Sequence, residues 1–246
     1  MQSAYPLDYD VLKNSATILR SFAVDYRLSA SHPYQAENPF PAALLDAISG
    51  YHYLIKLGFR SENIILSGES SGANLALALC RYLIQNPAPN LIPIGGLLLL
   101  SVWGNLSAHT TPSSSRIVNK KSDILPLDYL TTGVGFYGAT SYRGSAFSDD
   151  ELKPNEYISP ASPYLTQTDG MFKAFPKTYI LAGDAEALLD DSTIIAERMK
   201  IDNPSDGWIT LDVAEDGVHM FPAFTWAEPE RSEALLRLGR WLDQKG

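Results

Sequence analysis

Residues 63–85 read NIILSGESSGANLALALCRYLIQ. Residues 63–67 have the pattern of a short buried strand, because Ile64, Ile65 and Leu66 run without interruption and a glycine follows. Residues 73–85 are rich in Ala and Leu and predict a helix. Between them lies Gly68-Glu69-Ser70-Ser71-Gly72, a G-x-S-x-G spacing at a strand-to-helix turn. Such a turn holds its central serine in a strained, left-handed backbone conformation, and glycines two residues to either side relieve the crowding. The helix that starts after Ser70 aims its first N–H groups and its positive dipole end at any charge developing there. The stretch therefore predicts a nucleophile elbow, with Ser70 as nucleophile and the Ser71 N–H as a backbone donor to an oxyanion.

Strands and helices alternate on both sides of this stretch. A helix is expected over 6–20, a strand over 21–27 (SFAVDYR) and a proline-rich loop over 29–41. Pro41 opens a helix over 42–57, which Gly58 ends. Strands follow at 94–101, 177–182 and 208–213, with helices at 192–200 and 229–242. The expected fold class is α/β, a mostly parallel sheet covered by helices on both faces, in one domain over 1–246. Residues 102–176 are less regular, with a helix expected over 127–137, and a connection of that length inside a domain predicts a cap or substrate-loop insertion. Trp103, Phe136, Tyr137, Phe147 and Phe172 are its candidate substrate-shaping aromatics. Asp25 and Arg27 share a face by alternation and are expected to pair as a structural ion pair.

Composition narrows the partners. The formal charge of −9 argues against nucleic acid or an anionic membrane surface. The single cysteine, Cys80, allows no internal disulfide and is expected as a small core residue. The opening MQSAYPLDYD lacks the basic start and apolar run of a signal peptide, and no apolar run is long enough to span a bilayer, so a cytoplasmic location is expected. No His and Cys cluster or phosphate loop is present, so neither a metal nor an organic cofactor is implied.

A serine hydroxyl needs a base, and the chain has four histidines. His32 and His52 precede the elbow and His109 lies in the irregular region. Only His219, in a loop directly after a strand, follows the order nucleophile, acid, histidine on strand-end loops. The acid is expected after the strand 177–182, in GDAEALLDD. Asp190 and Asp191 suit the first turn of the following helix, as caps for its free N–H groups. Glu186 is the first choice as acid and Asp184 the second.

These residues resemble the hormone-sensitive-lipase-like esterases among the α/β-hydrolases. VDYRL at 24–28, PFPAA at 39–43 with Asp46, GESSGANLA at 68–76, SPASP at 159–163, GDAEALLDD at 183–191 and Val218-His219 with Phe221 carry the likeness over nearly the whole chain. The tail WAEPERSEALLRLGRWL is similar to that of fungal members, many of them in secondary metabolism. The resemblance implies cleavage of a small-molecule carboxylic ester, and a glutamate in the acid's place supports Glu186. One part departs from the family. No His-Gly-Gly stretch, which supplies most oxyanion donors there, occurs within 1–21. The departure implies a chain lacking the first strands of the fold and a more open pocket. The same triad would serve a thioesterase, lactonase or cyclase of secondary metabolism, and a chain without those glycines also fits a remnant that binds without cleaving.

Overall fold

The computed structural model describes residues 5–87, 94–107, 111–125, 134–145, 148–152 and 154–244. Four strands form one parallel sheet among the described residues, in the order β1 (Ile65–Glu69), β2 (Gly96–Leu100), β3 (Thr178–Gly183), β4 (Ile209–Ala214). The register sets Glu69 opposite Leu100, and Leu181 opposite both Leu100 and Asp212. Consecutive parallel strands leave all their carboxyl ends on one edge of the sheet, and the loops after β1, β3 and β4 therefore meet there.

The uninterrupted leucines of β2 follow from burial on both faces. Leu97 and Leu99 pack with Ile180 against α2 (Ala42–Lys56), α3 (Ser71–Gln85) and the helix Leu189–Asp202. Leu98 and Leu100 pack with Tyr179 and Leu181 against α1 (Tyr5–Lys13) and the helix Glu230–Asp243. A strand with one wet face would alternate; this one has none. Cys80 is fully buried among the α3 residues of the first core.

Three expected elements differ. β1 is half-buried, with Ser67 exposed, because among the described residues it pairs only with β2 and forms a sheet edge. Residues 21–27 join no strand. They run extended along α2, with Phe22 stacked on Tyr53 at 5.9 Å and Val24 against Gly50, where a Cβ would stand 2.6 Å from Val24 Cγ2. The expected Asp25–Arg27 pair is replaced by Arg27–Asp46 at 2.9 Å, because Asp46 on α2 offers the guanidinium both carboxylate oxygens. The helix expected over 6–20 stops at Lys13. Asp243 draws the chain away from helix, accepting from Ser15 Oγ at 2.7 Å and the Ala16 N–H at 2.9 Å, and Leu19 is left 83% exposed.

Between β2 and β3 the described residues hold three helices: α4 (Ser115–Val118), α5 (Val134–Arg143) and α6 (Asp149–Leu152). The helix expected over 127–137 thus overlaps α5 at its end, and its earlier residues lie outside the described ones. The remaining helices are α7 (Leu189–Asp202) and α8 (Glu230–Asp243). Trp103, Leu106 and Ile158 from this region form a small core with Ala187 and Leu188 of the loop after β3. Phe172 is fully buried in the main core, edge-on to Phe175 at 5.1 Å, so it packs the fold and shapes no substrate surface. Tyr137 is half-buried, its hydroxyl accepting from the Ser31 N–H at 3.4 Å. Phe147 and His109, and the side chain of Phe136, lie outside the described residues.

Candidate active site

Ser70 is the residue between β1 and α3, with φ 53° and ψ −117°, the positive φ that the turn predicts for its central serine. Its N–H donates to the Leu100 carbonyl at 2.9 Å, and its carbonyl accepts from Ala73 N–H at 3.1 Å and Trp103 N–H at 3.2 Å. The strained residue is thus fixed to β2 and the segment just after it by two bonds, and to its own helix by two, the second from the Asn74 N–H at 3.3 Å. The glycines divide their work unequally. A Cβ on Gly68 would run into the backbone of Gly72 and Ala73, whereas one on Gly72 would meet only the Tyr26 hydroxyl, at 3.7 Å. Ser71 is the first residue of α3, where the helix provides its N–H with no acceptor.

Glu186 sits in the loop after β3 and is fully buried. Its Oε2 accepts from Ser101 Oγ at 2.7 Å and from the Gly183 N–H at 3.3 Å, while its Oε1 has no partner among the described residues. Burial pushes this carboxyl up to about 8, against the pull of those two bonds, and the negative charges of Asp123 and Asp191 add to the rise. His219 lies in the loop after β4, 4% exposed, with its Nδ1 buried and without a partner among the described residues. Burial brings the imidazole down to about 4, with the charge of Asp123 opposing. Two orphaned buried atoms, one an acceptor and one a ring nitrogen, stand on loops that the fold holds side by side.

The two loops share their fastenings. Ser101 Oγ, which donates to Glu186, accepts from the Met220 N–H at 2.9 Å. Asp123 accepts from the His219 N–H at 2.9 Å through Oδ1 and from the Ala187 N–H at 2.7 Å through Oδ2. The Ala185 N–H donates to the Gly217 carbonyl at 3.0 Å, and a Cβ on Gly183 would collide with that same carbonyl. The structure therefore brings Glu186 and His219 to one cluster at the sheet edge that carries Ser70. Direct hydrogen bonds from His219 to Ser70 or to Glu186 are not formed among the described residues. Asp184 is exposed and accepts from the Asp216 N–H at 2.7 Å, so it braces the histidine loop from outside.

The aspartates expected to cap α7 face other segments instead. Asp190 accepts the Ser115 N–H at 2.8 Å. Asp191 accepts the Gly104 and Asn105 N–H groups at 3.0 and 2.9 Å and pairs with Arg116 at 3.0 Å, both side chains about 5% exposed or less. Tertiary donors outcompete the helix's own amides because they arrive already desolvated with a cation among them. Two residues of the cluster escaped the sequence reading. Ser101, with φ 47°, ends a buried strand on the same sheet edge as the elbow, and a polar residue at that place is a usable signal. Asp123 stands in an unpatterned segment and offers none.

Comparison with known proteins bears on the fold and the family. A family model described as alpha/beta hydrolase fold matches residues 14–223. An esterase of Acinetobacter venetianus is 33% identical over 184 residues, which cover 75% of this chain and 52% of that protein. The hormone-sensitive lipase of Mus musculus is 27% identical over 138 residues, 53% of this chain and 16% of the lipase. The crystal structure of EstE5 soaked with p-nitrophenyl butyrate aligns at a TM-score of 0.77 and 25% identity, covering 98% of this chain and 70% of that one. The chain thus spans about half the length of the Acinetobacter esterase. Among the described residues no helix is long and apolar enough to cross a membrane. A parallel sheet with a strained serine between β1 and α3, matched by the family model over most of its length, places the chain in the α/β-hydrolase fold family, with relatives among the hormone-sensitive-lipase-like esterases.

Proposed function

We propose that the protein hydrolyses small carboxylic esters through an acyl-enzyme, with Ser70 as nucleophile, His219 as general base and Glu186 as the acid that orients it. The observation that carries this reading is the backbone of Ser70, held at φ 53° between strand and helix. A serine kept in that conformation by flanking bonds serves chemistry better than it serves stability. The orphaned Glu186 Oε1 and His219 Nδ1 support the other two assignments, since each supplies what the other lacks. Asp184, turned outward to the Asp216 amide, fits the acid's role less well.

In the reaction, His219 takes the Ser70 proton as Oγ attacks the ester carbonyl. The resulting oxyanion faces the Ser71 N–H and the positive end of α3. The tetrahedral intermediate collapses, the imidazolium gives its proton to the leaving alkoxide, and an alcohol departs. A water then repeats the sequence on the acyl-serine and releases the acid. As each imidazolium forms, the Glu186 carboxylate stabilises it, and this requires the carboxyl to shed the proton that burial alone favours.

Hydrolysis of p-nitrophenyl butyrate tests the reading. The wild type should release nitrophenolate, and Ser70→Ala should lower kcat by at least about 10³-fold. Equal rates in the two proteins remove Ser70 from the mechanism. No turnover by the wild type, together with no reaction at Ser70 with a fluorophosphonate, would point to a binding module.

A further inference from the structure

We propose that Asp123 is a positioning residue of the hydrolytic site, a carboxylate that locks the histidine and acid loops to the segment between β2 and β3 and supplies a second negative charge to the base. The inference rests on the Ser70–Glu186–His219 reading. It is carried by the bonds of a half-buried side chain. Oδ1 accepts from the His219 N–H at 2.9 Å and the Ile124 N–H at 2.7 Å, and Oδ2 accepts from the Ala187 N–H at 2.7 Å. Ala187 follows Glu186 directly, so one carboxylate holds the backbones beside both the acid and the base.

The residues before Asp123 run along the acid loop alone. Asn119 Nδ2 donates to the carbonyls of Asp184 and Glu186 at 2.7 and 2.9 Å, and Ser122 Oγ donates to that of Ala185 at 3.1 Å. Within this segment Asp123 is the residue that reaches the histidine loop. A shift of the β2–β3 connection would therefore be felt at His219 through Asp123. Three N–H donors satisfy the carboxylate with no cation in contact among the described residues, which leaves its charge directed at the neighbouring imidazole.

Among the described residues its charge is felt at His219 and Glu186, Glu186 also feels Asp191, which pairs with Arg116, and Lys120 and Lys121 on its own segment are exposed. The charge of Asp123 raises the proton affinity of His219 and opposes the effect of burial. Removing it leaves the imidazole harder to protonate, and the base then keeps its active form to lower pH while stabilising the imidazolium less.

The test measures kcat, KM and the pH profile of kcat/KM on p-nitrophenyl butyrate for the wild type, Asp123→Asn, Asp123→Glu and Ser70→Ala. D123N should lower kcat about 10–100-fold, the loss expected for charge-assisted bonds, with KM within about twofold. Its acid limb should move to lower pH. D123E, which keeps the charge but misplaces it, should lower kcat at least about threefold with the acid limb unmoved. A D123N with wild-type kcat, or with a lower rate and an unmoved limb, overturns the proposal. Should D123N fail to fold, wild-type kcat in D123E overturns it. Loss of activity in S70A beside a wild-type D123N rejects Asp123 alone, whereas an active S70A rejects the triad and this inference with it.

Discussion

Glu186 and His219 are both driven towards their neutral forms by burial, the carboxyl up to about 8 and the imidazole down to about 4. Stability follows by linkage. The Glu186 carboxyl binds its proton more tightly folded than unfolded, so the stability it contributes is fully present below its unfolded value near 4.5 and is lost as pH rises through about 8. His219 acts in the opposite direction, its contribution being lost as pH falls from 6.5 through about 4. Glu186→Gln imitates the protonated acid. It should melt above the wild type at pH 8, by roughly 2–4 °C for each kcal/mol recovered, and the difference should shrink at pH 5. Its kcat should fall at least about 10²-fold, because an amide cannot balance the imidazolium. A wild type whose melting temperature exceeds that of E186Q equally at both pH values would show that burial of the charge is not what the site pays for. The depressed His219 value draws the acid limb of the proposed hydrolysis below the ordinary histidine value of 6.5 and the raised Glu186 value draws it up towards 8, and a kcat/KM profile measures which of the two groups limits the rate. At this scale spacing and chain order single out Ser70, Glu186 and His219 for the proposed triad. Ser101 and Asp123 stayed hidden because their work is done by single bonds between segments distant in the chain.

Elements were legible where burial on two faces or a helical run determined them. β2, β3, α2 and α3 lie within a few residues of their expected bounds, since their apolar residues point the same way whatever the neighbours do. Residues 21–27 and the end of α1 differ from their patterns for one reason: a partner elsewhere decides them, Asp46 and α2 in one case and Asp243 in the other. The elbow is held by sterics at Gly68. Gly68→Ala should shift the β1–α3 turn, lower the denaturation midpoint by about 1–3 kcal/mol equivalent and abolish reaction of Ser70 with a fluorophosphonate. Urea unfolding and labelling read the two effects separately. The connection between β2 and β3 is anchored by the buried Arg116–Asp191 pair. Arg116→Ala leaves Asp191 in the interior with two N–H donors and no counter-charge, and should cost about 3–5 kcal/mol of unfolding free energy. A loss under about 1 kcal/mol would mean that the backbone donors alone suffice.

Across the whole molecule, the parallel strand order gathers three strand-end loops at one edge, and this topology is what the proposed grouping of residues 70, 186 and 219 relies on. Fold class followed from the alternation of apolar runs and helices, because covered parallel strands leave a distinctive unbroken pattern. The position of β1 at the sheet edge did not, since pairing depends on neighbours that periodicity does not name. The central claim is that this edge activates Ser70 through His219. Mass-spectrometric mapping of a fluorophosphonate adduct, timed in the wild type and in His219→Ala, tests it most directly. One adduct is expected, on Ser70, forming at least about 10³-fold more slowly without the imidazole. An adduct on another residue, or equal labelling of Ser70 in both proteins, would contradict it.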